Sequence, residues 1–260
     1  MGGTVTSLTI DAGVALVTLE RPEVHNSFNT AMADELVATA ARLAGDTSVG
    51  AVVITGAGGK AFCAGADIAE FGALSSPDAF LGFIRRLGGA VEAIAALPQI
   101  VIAAVEGVAF GGGCELAMAC DLRIASSRAR FGLPEVKLGL MPGLGGTQRA
   151  PRLLPRGVAL RLLITGEPMG ADEAHRLGFC EPPVDVGGAL DAALDLARSL
   201  AAGPRGAIAA AKRLVDDGAV LGLADALALE QQVGSGLFGT PDAREGVAAF
   251  LEKRPPHFGV

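Results

Sequence analysis

The stretch "GVAFGGGCELAMACDLRI", residues 107–124, places three successive glycines, Gly111 to Gly113, just ahead of a lone carboxylate, Glu115, and then runs into small apolar residues. Glycines lack a Cβ, so they let another group approach the backbone closely and adopt dihedrals that other residues avoid. The residues after them predict a short helix, whose first amide N–H groups have no intrahelical partner and carry partial positive charge. Amides presented in this way can bind a developing oxyanion. Glu115 falls in the first turn of that helix. It cannot be half of a capping box, because the residue three before it is Gly112. Locally two readings stay open: the carboxylate complements the helix dipole, or it does chemistry.

Working outward, "QIVIAAVEG" before the glycines and "DLRIASS" after the helix both read as apolar strands. Nearer the N-terminus, "TVTSLTI" and "VALVTLE" read as strands joined by the turn "DAG", followed by the polar loop "ERPEVHNSFN" led by Pro22. Met32, Leu36, Ala40 and Leu43 recur at helical spacing, and "AVVITGAGG" is an apolar strand ending in a glycine turn. Ser76 and Pro77 open a helix whose buried stripe is Phe80, Ile84, Leu87, Val91 and Ile94. The repetition of strand, strand, helix predicts an α/β architecture, with ligand chemistry at glycine loops on strand ends. From residue 187 only helices are predicted, the last starting at Thr240 and Pro241 and stopped by Pro255 and Pro256. The expected organisation is a core over residues 1–186 and a helical region over 187–260.

Two further segments bear on the carboxylate. "ARFGLPEVKLGLMPGLGGTQR" puts Glu135 after Pro134, between apolar segments. If Glu115 and Glu135 converge on one dry pocket, burial and repulsion separate their titrations and yield an acid and a base. The alternative is a solvated Glu135 paired with Lys137 or Arg130. "KAFCAGADIAEF", residues 60–71, has small residues Ala64, Gly65 and Ala66 that admit a ligand to backbone amides, with Asp67 as a cap for the following turn. The other glycine clusters fail as phosphate cradles. "GAGGKA" has Ile54 where a P-loop needs its first glycine and Ala61 where it needs Ser or Thr, and "GLGGTQ" lacks the dinucleotide spacing.

Composition narrows the classes further. Of 260 residues, 50% are hydrophobic and 19% charged, with 28 acidic against 21 basic residues and no Trp or Tyr. That balance disfavours nucleic-acid binding. The mean hydropathy of +0.46 predicts apolar surface buried between subunits. The apolar run "AIAALPQIVIAAV" is too short to cross a bilayer, so no membrane partner is expected. Cys63, Cys114, Cys120 and Cys180 and the three histidines show no metal-ligand spacing, so no metal is expected and the thiols are read as packing residues. The start "MGGTVTSLTI" lacks a basic or long apolar presequence, and its match to a myristoylation pattern is read as chance; the cytoplasm is the expected compartment.

Together, "KAFCAGADI", "GVAFGGGCELAMACDLRIAS" and "FGLPEVKLGLMPGLGGTQRAPRLLP" resemble the crotonase superfamily, and within it enoyl-CoA hydratase; the likeness runs from "ERPEVHNSFN" to "REGVAAFLEKRPPHF". The resemblance implies a spiral of β-β-α units with a helical C-terminal trimerisation region, assembled as a homotrimer or a hexameric dimer of trimers. It implies an oxyanion hole from the backbone N–H groups of Ala66 and Gly112, each such donor contributing about 3 kcal/mol to the transition state. It also implies that Glu115 activates the water that attacks C3 of a trans-2-enoyl-CoA, and that Glu135 protonates C2. The substrate is then an acyl-CoA thioester that brings its own coenzyme A, with no separate cofactor.

Ala64, Ala66, Asp67 and Ile68 match positions at the coenzyme A end, and Lys253 matches a lysine that a neighbouring subunit can supply to its phosphates. The lysine that often follows "GADI" is replaced by Ala69 and Glu70, and an aromatic residue often near the adenine is Gly234. Phe71, Leu74, Phe80 and Phe83 are candidates for the acyl pocket or for plain core. The resemblance extends to isomerases, other acyl-CoA enzymes and RNA-binding homologues, and it leaves fatty-acid β-oxidation, amino-acid breakdown and aromatic degradation open as the pathway.

Overall fold

The computed structural model describes residues 4–259, so the N-terminal "MGG", with which the myristoylation pattern begins, lies outside the described residues. The chain opens with a hairpin of β1 (Thr6–Asp11) and β2 (Val14–Leu19), turned at Ala12 and Gly13 with positive φ at both. Helix α1 (Thr30–Ala44) follows, capped by the Asn29 side chain, and buries Met32, Leu36, Ala40 and Leu43.

Three turns of a spiral come next. The first comprises β3 (Ala51–Gly56), β4 (Ala61–Cys63), the short α2 (Ile68–Gly72) and α3 (Pro77–Ala95). The second comprises β5 (Ile100–Val105), β6 (Val108–Phe110) and α4 (Gly112–Ala119). The third comprises β7 (Leu122–Ala125), β8 (Arg130–Gly132), a 3-10 turn over Pro134–Leu138 and α5 (Gly146–Leu153). Every turn gives its first strand to a five-stranded sheet, ordered β1-β2-β3-β5-β7. Its second strand goes to a four-stranded sheet ordered β4-β6-β8-β9, closed by β9 (Met169–Gly170) after α6 (Arg156–Thr165). This is the spiral of β-β-α units that the sequence resemblance implies.

Strands β3 and β5 of the five-stranded sheet are buried on both faces, which is why they read as unbroken hydrophobic runs. Val52, Ile54, Val101 and Ala103 face a core shared with α1 and α3. Ala51, Val53, Ile102 and Ala104 face the other way, toward Ala193, Ala197 and Ala201 of α8 (Ala189–Ala201), which follows α7 (Ala171–Arg176). That alanine row at i, i+4 spacing brings α8 so near the sheet that a Cβ on Gly50 would lie 2.7 Å from the Ala201 Cα. Helices α9 (Arg205–Gly218), α10 (Leu223–Phe238) and α11 (Pro241–Glu252) bury only Ala249 among them. Phe238 and Phe250 are 82% and 83% exposed. All four cysteines are buried and unpaired, and no helix among the described residues is long and apolar enough to cross a membrane.

Candidate active site

The four-stranded sheet brings three distant segments together. Strands β4, β6 and β8 run parallel and adjacent. The chain leaves β4 into Ala64, Gly65 and Ala66, leaves β6 into Gly111 and Gly112, and leaves β8 into Leu133, Pro134 and Glu135. All three exits therefore lie on the carboxyl edge of one small parallel sheet, the usual place for a ligand in such sheets.

Glycine is required where these exits touch. A Cβ on Gly113 would lie 2.1 Å from the Cys63 carbonyl oxygen, so α4 begins directly over the end of β4. Gly65 has φ +109° and faces the Phe110 carbonyl, and Gly111 has φ +51°. The Ala66 and Gly112 amides come close together: a Cβ on Gly112 would be 3.7 Å from the Ala66 nitrogen. Neither N–H donates to another group among the described residues, the second because it opens α4. The far end of α4 is held by Arg123, whose Nη1 donates to the Cys120 carbonyl at 2.8 Å and whose guanidinium lies 4.9 Å from the Phe179 ring centroid.

Glu115, one helical turn into α4, is only 1% exposed. Its Oε1 accepts from the Leu144 and Gly146 amides, both at 2.7 Å. Gly145 between them has φ +110°, which aims both N–H groups at one oxygen, and Gly146 opens α5, so the carboxylate also sits on a helix N-terminus. Burial nevertheless pushes the carboxyl up to about 7, reinforced by Glu135 and opposed by the Gly146 and Leu144 amides and by Arg149.

Glu135 has no such cradle. Its Oε2 is buried without a hydrogen-bond partner, and Lys137 is engaged by Glu167 at 2.7 Å instead. Burial raises its carboxyl as well, with its own backbone amide opposing. An unpartnered buried oxygen favours the neutral acid.

Both carboxylates line a cavity of about 350 Å³ together with Ala66 and Gly112. Most of its remaining wall is apolar, from Phe71, Phe80, Phe83, Ile84, Leu87 and Leu144, with His25 and Ser27 also lining it. Two hydrogen-bond donors free for a carbonyl oxygen, two carboxyls that burial shifts toward their protonated forms and a greasy wall together suit proton transfer to and from carbons next to a thioester.

Residues 9–260 match the family described as enoyl-CoA hydratase/isomerase. The chain belongs to the enoyl-CoA hydratase/isomerase family. Among its relatives, a protein named probable enoyl-CoA hydratase echA8 from Mycobacterium tuberculosis is 40% identical over 248 residues, 95% of each chain. A short-chain-enoyl-CoA hydratase from Clostridium acetobutylicum is 40% identical over 242 residues, covering 93% of this chain and 92% of that one. The crystal structure of an enoyl-CoA hydratase from Bacillus anthracis superposes with a TM-score of 0.94 at 36% identity, covering 98% of both chains. The crotonase-type fold is thereby shown.

Within this enoyl-CoA hydratase/isomerase chain, Glu115, Glu135, Ala66, Gly112, Ala64 and Ile68 meet at one cavity. Asp67 is turned away from it: the side chain accepts from Arg21 at 2.7 Å and caps α2 through the Ala69 amide. Lys253 ends α11 in the left-handed region and does not line the cavity of its own chain. Phe71, Phe80 and Phe83 do line it, the first two in edge-to-face contact at 5.6 Å, whereas Leu74 packs on the core. Glu70, in place of the family's frequent lysine region, caps α1 by accepting from the Thr30 amide at 2.8 Å.

Sequence reasoning missed the Leu144 and Gly146 amides. The "GLGG" segment that carries them reads in sequence as a turn into a helix, which it is, but nothing in it points to Glu115. It also missed His25, whose φ of +54° brings it to the cavity mouth. Among the described residues there is no group of three or more His, Cys, Asp or Glu arranged to hold a metal.

Proposed function

We propose that the chain adds water to a trans-2-enoyl-CoA to give a 3-hydroxyacyl-CoA, with Glu115 as base and Glu135 as acid. The observation that carries this reading is the meeting of a buried carboxyl, Glu115, a half-buried one, Glu135, and two unpaired amides on one largely apolar cavity. The thioester oxygen accepts from the Ala66 and Gly112 N–H groups, which stabilise the negative charge that develops there when C3 is attacked. Glu115 takes a proton from the attacking water as its oxygen bonds to C3. The neutral acid Glu135 delivers a proton to C2, so that H and OH are added overall and one proton passes from Glu115 back to Glu135. A carboxyl near 7 is a competent base at neutral pH, while burial and an unpartnered Oε2 shift Glu135 toward the protonated form that can donate.

On this reading coenzyme A arrives with the substrate, along Ala64 and Ile68 at the cavity mouth. Lys253 reaches its phosphates from a neighbouring copy in a trimer or a dimer of trimers. The exposed Val215, Phe238, Phe250 and Leu251 on α9 to α11 support such an assembly. The name of the Clostridium relative makes a short acyl chain the first to try.

The test follows loss of the conjugated thioester absorbance of crotonyl-CoA in wild type, Glu115→Gln and Glu135→Gln. Turnover in wild type and its collapse in both variants is expected; an inactive wild type, or full activity in either variant, overturns the proposal. Faster migration of a 3-enoyl double bond than addition of water would make the chain an isomerase.

A further inference from the structure

We infer that Arg149, braced by Glu92, is a positioning residue that holds the 143–146 turn in the shape that presents two amides to Glu115. Arg149 lies in the first turn of α5 and is four-fifths buried, its side chain 20% exposed. Its Nη1 donates to the Leu144 carbonyl at 3.2 Å, on the residue whose N–H holds Glu115. Its Nη2 donates to Glu92 Oε1 at 2.8 Å, and its backbone N–H donates to the Gly145 carbonyl at 2.8 Å.

The guanidinium lies against the turn, so close that a Cβ on Gly145 would fall 2.1 Å from Nη1. One glycine-rich peptide turn is therefore gripped from both sides, by Glu115 within and by Arg149 outside. Glu92 belongs to α3, the helix that lines the cavity with Phe80, Phe83 and Ile84, so the brace also ties that wall to the base. An isolated surface ion pair does little. This one differs in that its fork fixes a carbonyl and a carboxylate at once, which a lysine cannot reproduce.

The titratable groups facing Glu115 are Glu135 from the 134–138 turn, Arg149 from α5 and the Cys114 thiol on its own helix. Asp67, on the segment after β4, is engaged by Arg21. Arg149 is thus the cation that opposes the effect of burial on Glu115. Its removal both loosens the cradle and withdraws that charge.

The inference rests on the proposed role of Glu115 as base, so one readout is chosen that needs no turnover. Infrared difference titration of the ligand-free enzyme follows the Glu115 carboxyl, identified by the band that Glu115→Gln removes. Arg149→Met is expected to move that titration to higher pH and to lower kcat roughly ten- to a hundredfold with KM little changed. Arg149→Lys is expected to return most of the titration but not kcat, and Glu92→Gln to fall between wild type and Arg149→Met. If Arg149→Met does not fold, the other two variants carry the same comparison. An unmoved Glu115 titration in the folded variants, or a kcat that falls only as the folded fraction falls, overturns the inference. A wild type that does not hydrate sinks the proposed function and leaves the infrared comparison standing.

Discussion

The two sheets share each of the three turns of one spiral, yet they are built differently. Strands β3 and β5 are six residues long, rich in Val, Ile and Ala, and buried on both faces. Strands β4, β6 and β8 are three residues each and run at once into glycines and a proline. Long ladders with covered faces hold a fold; short parallel ladders hold little themselves but fix where the chain goes next. In this molecule stability is concentrated in the first sheet, while the aim of the carboxylates and amides depends on the second.

The sharpest way to separate the two is Glu115→Gln, which is expected to cost roughly 10²- to 10⁴-fold in kcat without unfolding the protein. Burial lifts this carboxyl from its ordinary 4.5 to about 7, so between those values the folded state holds a proton that the unfolded chain has lost. Its contribution to stability therefore falls as pH rises through that window, by an amount on the order of 3 kcal/mol. Denaturant titrations should show Glu115→Gln more stable than wild type at pH 8 and no more stable at pH 4.5, and kcat/KM of wild type should decline as pH falls below about 7.

The opposite outcome is expected in the large sheet. Ile54→Ala, at a fully buried site, should cost about 2–5 kcal/mol by chemical denaturation while the folded fraction keeps its kcat. A variant at the junction should lose both. In Gly113→Ala the new Cβ meets the Cys63 carbonyl, and about 1–3 kcal/mol of stability should go together with activity, because α4 must shift. The smallest effect is expected at Gly82→Ala on the outer side of α3, where nothing lies within 4 Å; a gain of about 0.5–1 kcal/mol with unchanged turnover is expected from a melting curve. Activity loss at Ile54 in folded protein, or none at Gly113, would break the division between the sheets.

Much of the large sheet was legible because its strands are long enough to carry a pattern. The α1 face and the Ser76 and Thr240 caps were read from helical spacing and from the chemistry of the residues before each helix. The small sheet was not legible: "AFC", "VAF" and "RFG" are too short to show any period. The α3 stripe was legible only in part. Leu87, Val91 and Ile94 are buried, while Phe80 and Ile84 are only partly buried and line the cavity, as do Leu87 and the buried Phe83, which lies outside that stripe.

The sequence by itself marked the candidate residues, because glycines ahead of a lone glutamate, a Pro-Glu turn and an Ala-Gly-Ala exit each have a local physical reason to exist. Their meeting was decided only by the tertiary structure. Residues 64–66, 111–115 and 133–135 converge because β4, β6 and β8 pair in parallel, and ladder pairing between distant segments leaves no trace in any one of them. The same holds for charge: nothing local to Glu115 sets its proton affinity, which follows from burial, from the two amides of a turn about thirty residues away and from the arginine that grips that turn.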